Sequence, residues 1–200
     1  MCCRYQFSSP QNDELCMILR DAQRRCGREE PALEQASDIL PSQTAPVMIA
    51  RGSHIIGDLQ IFGRPAPHRP SLILNARAET VTQKPMFARN IAAQRCVVPT
   101  SGFYEWDGAH QKYFFSLPGQ DVLFLAGIYD NVDGQNRFMI LTTEANATMQ
   151  PVHDRMPLVL LRHQIRPWLT DPGFALRFLA EAPPLLERTA CCGQMSMWDE

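Results

Sequence analysis

The chain has 200 residues, 45% of them hydrophobic and 20% charged, with a formal net charge of −2. That is enough for one globular domain, and it supplies no global basic field to draw nucleic acid, so any such site has to be built locally from arginines. The first twenty residues carry Arg4, Gln6, Asn12, Asp13 and Glu14 without an apolar core, which argues against a secretory signal, and no apolar run approaches the roughly 20 residues that span a bilayer. No membrane association is expected, and the location inferred is cytoplasmic or nucleoid-associated.

A first helix is predicted over 10–25. Ser9 is placed to cap it, Pro10 suits its first turn, and Asp13 and Glu14 sit at the positive end of the dipole. Leu15, Ile18, Leu19, Ala22 and Cys26 recur at helical spacing and define its buried face. Residues 27–46 are polar and proline-punctuated and read as loop. VMIA and HIIGDLQIF then form a strand pair turning at Arg51-Gly52-Ser53, followed by a loop in RPAPHRPS. SLILNARAE, RCVVPTSGFYEW, KYFFSL, VLFLAGIYD, RFMILTT and PLVLL are further strands, with hairpin turns at WDGAH and NVDGQN. Short helices are predicted at 144–150, 162–169 and 172–180. Strands outnumber helices and hairpins are frequent, so the fold class is α+β with mainly antiparallel pairing, in one domain over 1–200.

The seven cysteines, at positions 2, 3, 16, 26, 96, 191 and 192, include no C-x-x-C pair, so zinc and thioredoxin-like chemistry both lack support. No metal or cofactor is expected. In a reducing compartment most of these are free thiols, and Cys16, Cys26 and Cys96 are expected to behave as small buried hydrophobes.

Three stretches place polar groups in strand-like surroundings. In LILNARAET, period-two alternation puts Asn75, Arg77 and Glu79 on one face; the alternative is a solvated strand face. In VVPTSGFYEWDG, Gly102 permits a bend or a close backbone approach, and Glu105 lies between Tyr104 and Trp106. A carboxylate hemmed by aromatics loses hydration and its pKa rises toward that of a general acid/base, unless it simply faces water at a hairpin end. In QPVHDRMPL, His153 is a proton carrier suited to neutral pH, or else an ordinary loop histidine. Together they suggest a cleft holding Asn, Arg, Glu and His.

Cys2 adds a nucleophile. With Met1 removed, it presents an α-amine and a thiol on adjacent carbons, with reference pKa values of roughly 7.7–8.0 and ~8.5. The amine can attack an aldehyde to give a Schiff base, and the thiol can close on the same carbon to a five-membered thiazolidine. Holding both nucleophiles on one residue favours ring closure.

In order along the chain, MC-x-R, NARAET, RCVVPTSGFYEW, AGIYD, ILTTEAN and VHDRMP resemble the SRAP family, the SOS response-associated peptidases or abasic-site-processing proteins, over residues 1 to about 160. The resemblance implies a single domain in which mainly antiparallel strands form a curved, barrel-like core with several peripheral helices. It implies that Met1 is removed by self-processing; a monomer is expected. The exposed Cys2 then forms a thiazolidine with the ring-opened sugar of an abasic site in single-stranded DNA, shielding the lesion during replication or the SOS response. Asn75 would hold the N-terminal segment and the opened sugar, Glu105 would act as acid/base, and His153 would help open the sugar. Arg4, Arg77 and Arg155 would contact phosphates, and Trp106 would stack on a base. A Schiff base at the sugar also gives a route to β-elimination, an AP-lyase activity. Two positions depart from the family pattern: Cys3 stands where Gly is usual, and Phe62, in IFGRPAPHRPS, where Trp is expected. Cys191 and Cys192 match nothing in the family pattern. Two other readings stay open, an N-terminal-cysteine peptidase or amidohydrolase acting in trans, and a non-covalent strand-binding module.

Overall fold

The computed structural model describes residues 2–191. Tyr5–Phe7 form strand β1, whose alternation sends Tyr5 and Phe7 into the core and Gln6 to the other face. Helix α1 spans Asp13–Cys26. Its cap is Asn12 rather than Ser9: Asn12 Oδ1 accepts from the Leu15 amide at 3.0 Å, while Ser9 is drawn inward, its hydroxyl donating to the Leu33 carbonyl at 2.6 Å. Leu15, Leu19 and Ala22 are buried as the spacing requires. Cys26 is not; it is exposed, with its thiol donating to Asp58 Oδ1 at 3.3 Å. Cys16 is only half-buried, and Cys96 alone of the three behaves as a core hydrophobe.

The segment read as loop over 27–46 contains β2 (Ser37–Ile39), which pairs antiparallel with β1. The predicted hairpin is present as β3 (Thr44–Arg51) and β4 (His54–Phe62). Two short strands, β5 (Arg64–Pro65) and β6 (Leu72–Ile73), pair across the proline-rich loop, and SLILNARAE breaks at Leu74 into β6 and β7 (Asn75–Arg77). Then follow α2 (Pro85–Ala93), β8 (Arg95–Thr100), β9 (Gly102–Trp106), β10 (Lys112–Ser116), β11 (Leu123–Val132) and β12 (Gln135–Glu144). The chain continues through β13 (Arg155–Pro157), β14 (Val159–Leu160), α3 (Arg162–Thr170), α4 (Pro172–Phe178) and β15 (Glu187–Ala190). The helix predicted over 144–150 is absent. Glu144 ends β12, and Asn146 Oδ1 instead accepts the amides of Thr148 and Met149, an Asx turn that competes with helix.

Five strands, in the order β12-β4-β3-β8-β11, close into a barrel through the β11–β12 pairing. A second sheet, β15-β10-β9-β1-β2, packs beside it. Closure depends on β12 changing neighbours along its length. On one side it pairs in parallel with β4 at Arg137 and Phe138, then with β7 from Ile140 to Thr142; on the other it leaves β11 after Ile140 and takes β13 from Thr142 to Glu144.

The interior is aromatic. Tyr5 meets Phe62 edge-on at 5.7 Å, Phe62 stacks on Phe138 at 5.1 Å, and Phe103 stacks on Phe115 at 5.2 Å. Phe62 is therefore a core residue, fully enclosed. Helix α1 lies against β4 at Gly57, where a Cβ would come within 2.8 Å of backbone atoms of Ile18 and Ala22. Gly102 serves the close approach expected of it: a Cβ there would lie 2.4 Å from the Phe115 carbonyl oxygen. At the other end of the molecule Arg95 is buried, its guanidinium donating to the carbonyls of Ile91 and Ala92 in α2 and of Trp168 and Leu169 in α3.

Candidate active site

Because β12 holds β7 on one side and β13 on the other, Arg77 and Pro157 both lie opposite Thr142, and Arg155 lies opposite Glu144. The same strand pairing delivers Asn75, whose side chain reaches the N-terminal segment: Nδ2 donates to the Cys2 carbonyl at 3.1 Å. Asn75 Oδ1 is buried and makes no hydrogen bond. The segment is held from its other side by β9, which pairs with β1 and donates from the Tyr104 amide to the Arg4 carbonyl at 3.0 Å.

Cys2 is enclosed, with 1% of its surface exposed. Burial pushes its thiol well above the ordinary range, and the charge of Glu105 adds to the shift. Glu105 is itself 4% exposed, and burial raises its carboxyl, opposed in part by the charge of His153. The aromatics that desolvate Glu105 are not its chain neighbours. Along a strand side chains alternate, so Tyr104 and Trp106 share the opposite face, where the Lys112 ammonium lies 3.7 Å from the Tyr104 ring centre and 5.8 Å from that of Trp106. Glu105 instead points inward with Phe103, and its cross-strand partner is Tyr113.

His153 sits after the Asx turn, its amide donating to the Met149 carbonyl at 3.0 Å. Its Nδ1 lies 2.8 Å from Asp154 Oδ1 and 2.9 Å from the Arg155 amide nitrogen. The Arg155 guanidinium is already engaged: it forms a two-pronged pair with Glu79 at 2.7 and 2.9 Å and donates to the Thr142 carbonyl at 2.7 Å. Glu79 lies just past β7, and this pair holds its carboxyl below the usual range. Arg4 is likewise committed, paired with Asp38 and lying over the Tyr104 ring at 5.6 Å. Arg77 is exposed and lines two adjoining cavities. One, of about 480 Å³, is bounded by Glu144, Gln150, Asp154 and Arg155; the other, of about 500 Å³, by Ile73, Asn75, Lys84, Met86 and Phe87. A further cavity of about 660 Å³, lined by Ser8, Ser101 and Ser116, contains none of these residues.

The structure thus ties Asn75 to Cys2, lets the charge of Glu105 act on the Cys2 thiol and that of His153 on Glu105, sets Arg77 and Arg155 on one cavity, and turns Trp106 to the opposite face of β9 from Glu105. The sequence reading missed the wall supplied by α2 and the partnership of Arg155 with Glu79. Pro85 opening PMFARNIAA was a start signal for the helix, and Glu79 was legible as a face-mate of Arg77 but not as a partner from another strand. Among the described residues, no group of three or more His, Cys, Asp or Glu is placed to hold a metal ion, and no helix is long and apolar enough to cross a membrane.

A closed barrel of this topology flanked by a second sheet, with Cys2 tethered to it through Asn75, is the fold of a known class of protein. The family model for SOS response associated peptidase (SRAP) matches residues 1–185, and the chain belongs to that family. It is 30% identical over 192 residues to the abasic site processing protein YoaM of Bacillus subtilis, covering 87% of this chain and 83% of the relative. It is 28% identical over 180 residues to the abasic site processing protein YedK of Escherichia coli, covering 84% and 79%. Among solved structures, a crystal structure of a protein from Bordetella bronchiseptica superimposes with a TM-score of 0.74 at 23% identity, covering 95% of this chain and 99% of that one.

Proposed function

We propose that the protein processes abasic sites in single-stranded DNA by forming a covalent link through Cys2. The observation that carries this is the tether of buried Cys2 to the Asn75 amide, with the charge of Glu105 acting on its thiol, in a family whose relatives are named for abasic site processing. Met1 lies outside the described residues; its self-removal is part of the proposal, since the chemistry needs the Cys2 α-amine.

The steps follow from the residues present. Opening the closed sugar moves a proton from the anomeric hydroxyl to the ring oxygen, breaking the ring C–O bond and leaving an aldehyde; His153 carries that proton. The Cys2 amine adds to the aldehyde, and Glu105, whose burial keeps it protonated to higher pH, gives a proton to the departing water. A Schiff base results. The Cys2 thiol then adds across the C=N bond: sulfur bonds to carbon, the thiol proton ends on nitrogen, and the thiazolidine closes. Raised by burial, the thiol is the second nucleophile rather than the first. The unpartnered Oδ1 of Asn75 accepts a hydroxyl of the opened sugar. Arg77, at the rim of both cavities, meets the phosphate beside the lesion, and Trp106 stacks on a flanking base. Arg155 supports this rim through its pair with Glu79, and Arg4 is held by Asp38. β-Elimination from the Schiff base competes with ring closure and gives a minor lyase activity. The protein acts as a monomer, in the cytoplasm where DNA is replicated.

The test is intact mass of the purified protein before and after incubation with an abasic oligonucleotide. Loss of Met1 and a denaturant-stable adduct with loss of one water are expected, both absent from Cys2→Ala. A stable adduct in Cys2→Ala overturns the assignment, and peptide turnover without DNA favours a peptidase.

A further inference from the structure

One ring nitrogen of His153 faces two groups with opposite demands. Asp154 Oδ1, 2.8 Å from Nδ1, can only accept a hydrogen bond, and the Arg155 amide, 2.9 Å from the same atom, can only donate one. The two cannot be satisfied in the same tautomer. With the proton on Nδ1 the ring donates to Asp154, and its other nitrogen, Nε2, is left with a lone pair, a base. With the proton on Nε2, Nδ1 accepts from the Arg155 amide, and Nε2 becomes a donor, an acid.

We propose that Asp154 is a positioning residue for His153, selecting the tautomer in which Nε2 can take a proton. The role rests on the function proposed for His153 above. Opening a closed abasic sugar needs one group to act in both directions. Nε2 removes the proton of the anomeric hydroxyl while Nδ1–H is held by Asp154; the resulting imidazolium stays paired with the carboxylate; Nε2 then returns the proton to the ring oxygen as the C–O bond breaks. The proton taken from one oxygen is delivered to the other, so no further reagent is required. The Arg155 amide, fixed because its residue pairs with β12, is the counterweight that holds the alternative tautomer.

The surroundings fit positioning rather than structural support. Asp154 is 87% exposed, where an ion pair adds little to stability. Its backbone is fixed nonetheless, its carbonyl accepting from the Ala145 amide at 3.0 Å. Among the described residues, Asp154 from its own segment pairs with the ring and Glu105 from β9 interacts with its charge. Arg155 is turned into its pair with Glu79.

The experiment compares wild type with Asp154→Ala and Asp154→Glu on two substrates, an abasic oligonucleotide and one carrying an open-chain aldehyde that cannot cyclise. In parallel, ¹⁵N NMR of His153 reads which ring nitrogen is protonated. Expected for Asp154→Ala are Nε2–H in place of Nδ1–H, a roughly tenfold slower adduct with the closed sugar, an unchanged rate with the open aldehyde, and an unchanged melting temperature. Asp154→Glu restores part of the rate. An unchanged tautomer, or equal slowing on both substrates, overturns the proposal. If wild type forms no adduct with either substrate, the covalent function fails instead, and the tautomer measurement, which needs no DNA, still decides whether Asp154 sets the ring.

Discussion

Asn75 and Cys2 are 73 positions apart, yet the Asn75 side-chain amide donates to the Cys2 backbone carbonyl at 3.1 Å. The bond ties Cys2 to a strand of the barrel edge rather than to its own sheet. Asn75→Ala is expected to lower the rate of adduct formation by roughly 10–100-fold through lost positioning, at a stability cost of about 1 kcal/mol. Rates come from denaturing gels over time and stability from urea unfolding. A rate within twofold of wild type removes Asn75 from the positioning of Cys2.

Glu105 predicts a pH dependence whose sign is fixed. Burial raises its carboxyl, so folding favours the protonated form. The group stabilises the fold below the unfolded value, near 4.3, and that contribution is lost as pH rises through the folded value. Glu105→Gln cannot ionise. It should melt higher than wild type at pH 8, with the gap closing toward pH 4, by about 1.4 kcal/mol per unit of elevation. A pH-independent gap contradicts this.

Arg77 and Arg155 should separate by salt. Arg77→Ala is expected to weaken non-covalent binding to single-stranded DNA and to reduce the slope of log affinity against log salt by about 1, with little change in stability. Arg155→Ala and Glu79→Ala should act on the fold. Each leaves a partner of the other unsatisfied, at about 1–3 kcal/mol, less for the half-exposed Glu79 side, and the double variant should cost less than the sum. Should Arg155→Ala lower the salt slope as much as Arg77→Ala, the guanidinium reaches phosphate in the complex.

Cys3 is exposed where Cys2 is buried. Iodoacetamide on the native protein should label Cys3 at least about tenfold faster than Cys2, since Cys3 is accessible while burial both hides the Cys2 thiol and raises its pKa. Cys3→Gly should leave the adduct mass unchanged apart from the substitution and its rate within about twofold. A larger change in either direction places the Cys3 side chain in the path of the substrate.

What the sequence revealed was what depends on short range. The periodicity of α1 and the β3–β4 hairpin were legible because neighbours in sequence determine them. Grouping Asn75, Glu105 and His153 was also within reach, because each is a polar side chain in an apolar or proline-bounded setting. Hidden were the relations set by distant strands. Tyr104 and Trp106 flank Glu105 in sequence but face away from it, since a strand separates neighbours and joins every second residue. Arg155 carries the chemistry of a phosphate contact, but its partner depends on β12 bringing β7 and β13 to either side of Thr142. The missed strands β2 and β15 are short edge strands, with too few residues for alternation to show.

Arg95 ties the rear of the molecule to its front. Its guanidinium gathers carbonyls from the last turns of α2 and α3, and α2 is nine residues long, its opening residues Pro85, Met86 and Phe87 forming one wall of the cavity beside Asn75 and Arg77. Between that knot and that wall there is only one short, stiff rod. The depth of the cavity is thus set from behind, by a buried cation outside its lining.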